Sequence, residues 1–177
     1  MLQGCAKEPV APAPELAAQE KHEGETLAVI VPGGGTYSRA ISTDSEQTQR
    51  FFDQGLRFAW GFFFPESIAS YQQASLADPT HPMPYWGMAH AMGPNPNSRY
   101  GRMPDDPKGE GLKAITKAKE LIGRASPLEA QLINALFVLY DKSSIADDND
   151  RDRAYLAAMR EINREHPDDS DVAALYA

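Results

Sequence analysis

Apolar residues recur three or four positions apart along most of the chain after residue 45, which is the spacing of one buried helix face. The first such face carries Phe51, Gly55, Phe58 and Phe62. Further helices are predicted after Pro65 and over residues 82–92, 108–123, 127–141 and 151–166, with a last one beginning at Asp171. Alternation of the strand type is nearly absent. The sequence therefore predicts an all-α body.

Caps and helix breakers indicate where these helices begin and end. Thr43 and Glu46 match a capping box at the start of the first helix, with Ser45 as an alternative cap. Gly93 is expected to end the third helix in a left-handed conformation, because Pro94 cannot continue it. These signals support the helix assignment independently of the apolar spacing.

The chain before the first helix has a different composition. Residues 1–25 are rich in Pro, Ala and Glu, which predicts a disordered, flexible tether. Residues 26–44 are predicted to be an extended linker, with a short strand broken at residues 32–35. The glycines there form no phosphate loop, because no Lys-Ser/Thr pair follows them. The predicted domains are thus the tether (1–25), the linker (26–44) and a helical domain (45–177).

The charge excludes some function classes. The formal net charge of −8 argues against nucleic acid as a partner, since binding phosphates needs clustered Lys and Arg. No run approaches the roughly 18 apolar residues of a membrane span. The single cysteine excludes an internal disulfide framework and a thiolate metal cage.

That cysteine, Cys5, follows Leu2-Gln3-Gly4. The four residues resemble the lipobox of bacterial lipoproteins, in which the cysteine is lipidated and becomes the mature N-terminus. The resemblance implies the periplasmic side of the bacterial cell envelope, with membrane contact only through the lipid. A secretory signal needs a longer apolar run before the cysteine, so this interpretation requires a start upstream of Met1. The alternative is a free thiol in a surface tail.

Residues 48–81 have the spacing of a helix-pair repeat. They resemble the tetratricopeptide repeat (TPR), a helical hairpin of about 34 residues in which small positions let two helices approach and large ones fill the gaps. Gln54 and Ser67 depart from the usual Leu and Ala. The matching positions, in chain order, are Phe51, Gln54, Gly55, Phe58, Ser67, Tyr71, Ala74 and Pro79.

Three more units follow in degenerate form. The second begins at residue 82 and is interrupted by an insertion at 93–107, the third begins at Pro127, and residues 170–177 open a fourth. The resemblance is closest to bacterial TPR proteins containing "FDQGL", "YWG" and "GPN" elements. It implies an α-solenoid that acts as a scaffold, not a reaction. Because the fourth unit is incomplete, we expect the helical domain to be truncated at its C-terminal end or completed by another molecule.

The stretch "YWGMAHAM" offers a possible soft-metal site. Met88 and Met92 share a helix face, whereas His90 points away from both, and the repeat register assigns the methionines to packing. His81, in a proline-rich turn, is expected at the surface. The aromatic run from Trp60 to Phe64 is expected to pack between paired helices. We therefore predict no metal and no cofactor.

No Ser-His-Asp or Cys-His arrangement follows from the spacing, so no catalytic residue and no enzyme activity are predicted. The predicted function is a scaffold that binds a protein or peptide on the concave face of the repeats. Exposed positions on the first helix of each pair are the candidate partner-binding residues: Arg50, Asp53, Arg57, Trp86 and His90. The alternative is an accessory protein that binds a small ligand or metal with the 93–107 loop and His90.

Overall fold

The computed structural model describes residues 26–93 and 103–177, and within these ranges the chain forms α-helices and no strand. The all-α prediction is thus confirmed for this part of the chain. A short 3₁₀ turn, Ile122–Arg124, follows the fourth helix. The helices are α1 (Glu46–Trp60), α2 (Phe64–Ala77), α3 (Pro82–Met92), α4 (Pro107–Glu120), α5 (Pro127–Tyr140), α6 (Asp148–Glu165) and α7 (Ser170–Tyr176).

Side-chain caps start most of these helices. Ser45 is the cap of α1, because its side chain accepts from the Thr48 N–H, so the predicted capping box at Thr43 is wrong. Thr43 lies outside the helix and accepts from the Ser45 N–H instead. A complete capping box joins Ser126 and Glu129 at the start of α5. These local bonds satisfy helix N–H groups that have no partner within the helix.

Three local features differ from the sequence prediction: the start of α6, the backbone conformation at Gly93 and the structure of the linker. The helix predicted over 151–166 begins at Asp148, since Asp147 caps it. Gly93 ends α3 with φ −62° and ψ 179°, an extended conformation and not the expected left-handed one. The residue before a proline is pushed towards extended backbone, and Pro94 follows Gly93. The linker is extended without a strand, and turns at Gly33 (φ 81°) and Gly35 (φ 86°), where only glycine adopts such backbone easily.

Each helix packs against the next along the chain, and α3 also contacts α1 and α5. Tyr71 of α2 is fully buried between Gly55 of α1 and Gly87 of α3. A Cβ on either glycine would lie within 2.7 Å of the Tyr71 ring. The absence of side chains at these two positions therefore lets three helices meet around one aromatic ring.

Two expectations about burial are corrected. His81 is fully buried, not exposed, because its Nδ1 caps α3 by accepting from the Met83 N–H. In the aromatic run, Phe64 is buried, but Phe62 and Phe63 are 64% and 59% exposed at the turn between α1 and α2. Phe62 has φ 63°, which turns its side chain outward. Met88 and Met92 belong to the hydrophobic core.

None of the helices in residues 26–93 and 103–177 combines the length and the apolar character needed to cross a membrane.

Candidate functional site

Three polar residues of α1 form a stripe along one side of the helix. Gln49, Asp53 and Arg57 are spaced four residues apart and therefore follow one another along the same face of the helix. We call them the α1 polar stripe. The stripe faces residues 37–41 of the linker, which run antiparallel to the helix.

The α1 polar stripe binds mainly the backbone of this linker arm. Gln49 accepts from the Ile41 N–H at 3.0 Å and donates to the Arg39 carbonyl at 2.8 Å. Asp53 accepts from the Arg39 N–H at 3.0 Å, and Arg57 donates to the Tyr37 carbonyl at 2.6 Å. These hydrogen bonds go to the N–H and carbonyl groups of an extended main chain, so they do not depend on which side chains the arm carries.

Two further glutamines, Gln54 and Gln73, bind residues 27–31, which form the other arm of the linker. Gln54 accepts from the Val31 N–H at 2.8 Å and donates to the Val29 carbonyl at 2.9 Å. Gln73 of α2 accepts from the Leu27 N–H at 2.8 Å. Gln54 thus spans residues i and i+2 of an extended chain, as Gln49 does on the other arm. Only the glycine turn separates the two arms.

The linker also reaches α7 through two acids. Arg39 Nη1 lies 2.8 Å from Asp169 Oδ1 and 2.9 Å from Asp171 Oδ2. Asp171 accepts in addition from the Tyr37 hydroxyl at 2.7 Å and from Trp60 Nε1 at 3.2 Å. One buried carboxylate therefore joins the linker, the end of α1 and the start of α7.

The electrostatics favour the charged forms of this ion pair. Burial lowers the pKa of Arg39, but hydrogen bonds to Asp169 and Asp171 outweigh it, so the pKa is raised overall. Burial raises the pKa of Asp169, and hydrogen bonds from Arg39 and the Val172 N–H overcome it, so that pKa is lowered. The pair is therefore charged throughout the neutral range.

A small aromatic cluster lies beside these acids. His90 stacks on Trp86, with ring centres 5.3 Å apart and planes at 7°, and meets the Trp60 ring edge-on at 6.0 Å. Its Nδ1 is buried without a hydrogen-bond partner among the described residues. Burial lowers the pKa of His90 to about 4, against the attraction of Asp171. The ring is therefore neutral at pH 7.

The five predicted partner-binding residues have different surroundings. They were predicted to be exposed, and this is wrong for Asp53 and Trp86, which are buried, whereas Arg50 is exposed. Asp53 and Arg57 contact the linker. Trp86 is only 2% exposed and donates to the Leu132 carbonyl, and His90 is partly buried against it. As a partner-binding set, these residues stay a prediction.

Sequence reasoning missed Gln49, Gln54 and Gln73. A signal existed for Gln54, since the predicted repeat register places it where the TPR pattern has Leu. A polar residue at an apolar position indicates that something polar lies against it. Here that is the linker backbone and the Ser70 hydroxyl. Nothing in the pattern distinguished Gln49 or Gln73 from the other polar helix residues.

Ser42, His81 and Glu129 meet where the linker, α3 and α5 join, and their order differs from that of a hydrolase triad. His81 Nδ1 accepts a backbone N–H, so the neutral ring carries its hydrogen on Nε2, 3.2 Å from Ser42 Oγ. The Ser42 hydroxyl in turn donates to Glu129. A general base would have to accept the serine proton, and here the histidine donates. The three residues thus fasten the linker without activating a nucleophile.

The described residues contain no group of three or more His, Cys, Asp or Glu side chains arranged to hold a metal. Most of the 93–107 loop, residues 94–102, lies outside them, as does Cys5. A cavity of about 530 Å³ lies between α4, α5 and the start of α6. Arg151 lines this cavity and is buried. Its guanidinium donates to the Leu139, Ile145 and Ala146 carbonyls and pairs with Asp148.

A scan against models of protein families matches none, and searches of curated proteins and of solved structures likewise find no match.

Proposed function

We propose that the protein is a TPR-like helical-repeat scaffold of the bacterial cell envelope that binds an extended segment of a partner protein. The consecutive packing of the helices, with added contacts of α3 to α1 and α5, supports a solenoid in which α1, α3 and α5 share one face. The close approach around Tyr71 supports the repeat register, since Gly55 occupies the small position of the TPR pattern.

A single observation carries the binding proposal. The α1 polar stripe, together with Gln54 and Gln73, binds extended backbone through amide, carboxylate and guanidinium groups. Since main-chain groups are common to all proteins, the same side chains suit a partner segment of different sequence. The linker is then the resident occupant of the site, and a partner displaces its 37–41 arm.

The exposure of the linker is consistent with such an exchange. Val31 and Tyr37 are 46% and 43% exposed, and Ser38 and Ala40 are also exposed, so a competing segment can approach the arm. Ile41 is buried and anchors the C-terminal end of the arm, close to the start of α1. Displacement is therefore expected to begin at the Tyr37 end.

A fluorescent peptide with the sequence of residues 26–43 tests the exchange. It should bind the Arg39→Ala variant more tightly than the wild type, because that substitution removes the ion pair that ties the resident arm to α7. Arg153→Ala, an exposed arginine of α6, is the matched control and should leave the affinity at the wild-type value. Equal affinity of all three proteins, measured by anisotropy, would contradict the proposal.

The partner is sought with a photoreactive benzoylphenylalanine placed at Arg50 in the full chain, in bacterial cells. A discrete cross-linked protein is expected from this position and not from Lys113, an exposed residue of α4. Mass spectrometry of the cross-linked peptide then shows whether α1 contacts a contiguous partner segment. Identical cross-links from both positions would rule out α1 as the contact surface.

A further inference from the structure

A second cavity, of about 290 Å³, lies beneath the glycine turn of the linker at the C-terminal end of α1. Its volume is near the lower end of the range for small-molecule sites. Phe58 and Phe63 supply aromatic walls and Val31 an aliphatic one. Gly33 and Gly34 line the opposite side and present only backbone, so that a ligand can approach closely.

Arg57 is the charged residue of this cavity, and its hydrogen-bonding capacity is underused. Nη1 donates to the Tyr37 carbonyl, whereas Nε is buried without a hydrogen-bond partner. Among the described residues the guanidinium has no carboxylate within ion-pair distance, in contrast to Arg39, which has two. Arg57 as a whole is half-buried, but an unsatisfied donor buried as its Nε is destabilises the protein.

Arg57 has two structural roles, and neither explains why its Nε lacks a hydrogen-bond partner. A basic residue in the last turn of a helix complements the helix dipole, but this requires only the charge. The bond to the Tyr37 carbonyl uses one of five N–H donors and adds no negative charge. Arg151, which is buried, shows the contrasting case, since three backbone carbonyls and Asp148 accept from its donors.

We propose that this cavity binds a carboxylate carried on an apolar body about the size of one aromatic residue. The carboxylate accepts from the guanidinium hydrogens that Tyr37 leaves free, and the apolar body contacts Phe58, Phe63 and Val31. Arginine is the side chain best suited to a planar carboxylate, because its donors match both oxygens. This site shares Arg57 with the α1 polar stripe, but it does not require that a partner segment displace the linker.

An NMR titration tests the proposal with two probes that differ only in charge, N-acetyl-phenylalanine and its amide. The acid should bind saturably and shift the Arg57 Nε–H signal, and the amide should bind at least about tenfold more weakly, the effect expected for loss of a charge-assisted hydrogen bond. Arg57→Gln should weaken acid binding by a similar factor. Arg153→Gln, an exposed arginine of α6, is the matched control and should bind the acid as the wild type does.

Two further probes distinguish the sources of such a carboxylate. Phenylacetate binding as tightly as N-acetyl-phenylalanine would support a free small acid, whereas tighter binding of a pentapeptide ending in phenylalanine would support a chain terminus. Equal binding of acid and amide, or an Arg57 signal that stays unmoved at saturation, would overturn the proposal. The last two readouts use the wild type, so they remain decisive if Arg57→Gln does not fold.

Discussion

Gly55 lies so close to Tyr71 that a Cβ added at the glycine would stand 2.7 Å from Cε1 of the ring. The tyrosine is fully buried and also meets Gly87 of α3. Because the ring has helix backbone on two sides, it cannot move away from a new side chain without shifting α1 or α3. This one contact sets how closely the first three helices approach.

We therefore expect Gly55→Ala to destabilise the protein. Overpacking typically costs about 1–3 kcal/mol, and the gain of about 1 kcal/mol in helix propensity offsets only part of it. A net loss of up to about 2 kcal/mol in the free energy of unfolding should follow, measured by denaturant titration. Gly123→Ala is the control, because a Cβ there has nothing within 4 Å. If Gly55→Ala melts as the control does, the contact is misplaced.

Asp53 is expected to protect the linker from proteolysis. It accepts from the Arg39 N–H and the Ser38 hydroxyl, and bonds to a charged group contribute about 1.5–3 kcal/mol each. Asp53→Ala should release the arm and raise trypsin cleavage after Arg39 by at least about tenfold, since local opening exposes the site. Mass spectrometry of early digests measures this, with Arg50→Ala as the comparison. Unchanged cleavage would show that Asp53 does not hold the arm.

His90 should make stability depend on pH. Its pKa is lowered by burial to about 4 in the folded protein, against about 6.5 in the unfolded chain. The unfolded state therefore takes up the proton first, and stability that is complete above about pH 6.5 is lost as the pH falls towards 4. His90→Phe keeps an aromatic ring on Trp86 and should flatten this dependence, measured by denaturant titration between pH 7.5 and 4.5.

The same experiment separates His90 from the other titrating groups. The pKa of His81 is also lowered by burial, and that of Asp169 is lowered overall, but both residues remain in the variant. Their contributions cancel in the difference between the two proteins. Parallel curves for wild type and His90→Phe would show that His90 is already protonated, or solvated, in the folded state.

Lipidation at Cys5 has a direct test. With a secretory signal supplied before Leu2, the protein should incorporate labelled palmitate in a bacterial host, and Cys5→Ser should abolish the label, since the lipobox cysteine is the acceptor. The helical domain should fold equally in both, as measured by circular dichroism. Label that persists in the variant, or is absent from the wild type, rules out the lipobox interpretation.

Much of the helical architecture was predictable because the signals are local. Proline in the first turn of α2, α3, α4 and α5, and apolar spacing within each helix, depend on residues at most a few positions apart. The errors at Thr43 and Gly93 were also local, and came from competing neighbours. Ser45 caps α1 in place of Thr43, and the proline after Gly93 imposes extended backbone.

The candidate sites were only partly predictable. The repeat register placed Asp53 and Arg57 among the predicted partner-binding positions, which stay a prediction, and it carried no information about what lies against them. The linker covers both, through contacts spanning 14 and 20 residues of sequence. The cavity proposed to bind a carboxylate forms where the glycine turn meets the end of α1, which no periodicity encodes.

By itself the sequence determined the all-α class and most helix boundaries, because helix formation is governed by side chains one turn apart. The tertiary structure alone decided that His81 is buried, and that Asp171 accepts from Trp60, 111 residues away, and from Tyr37, 134 residues away. It also decided that the linker lies along α1. Such contacts depend on how successive helices stack, and small differences in crossing angle accumulate over the chain. No local sequence pattern determines the accumulated arrangement of the helices.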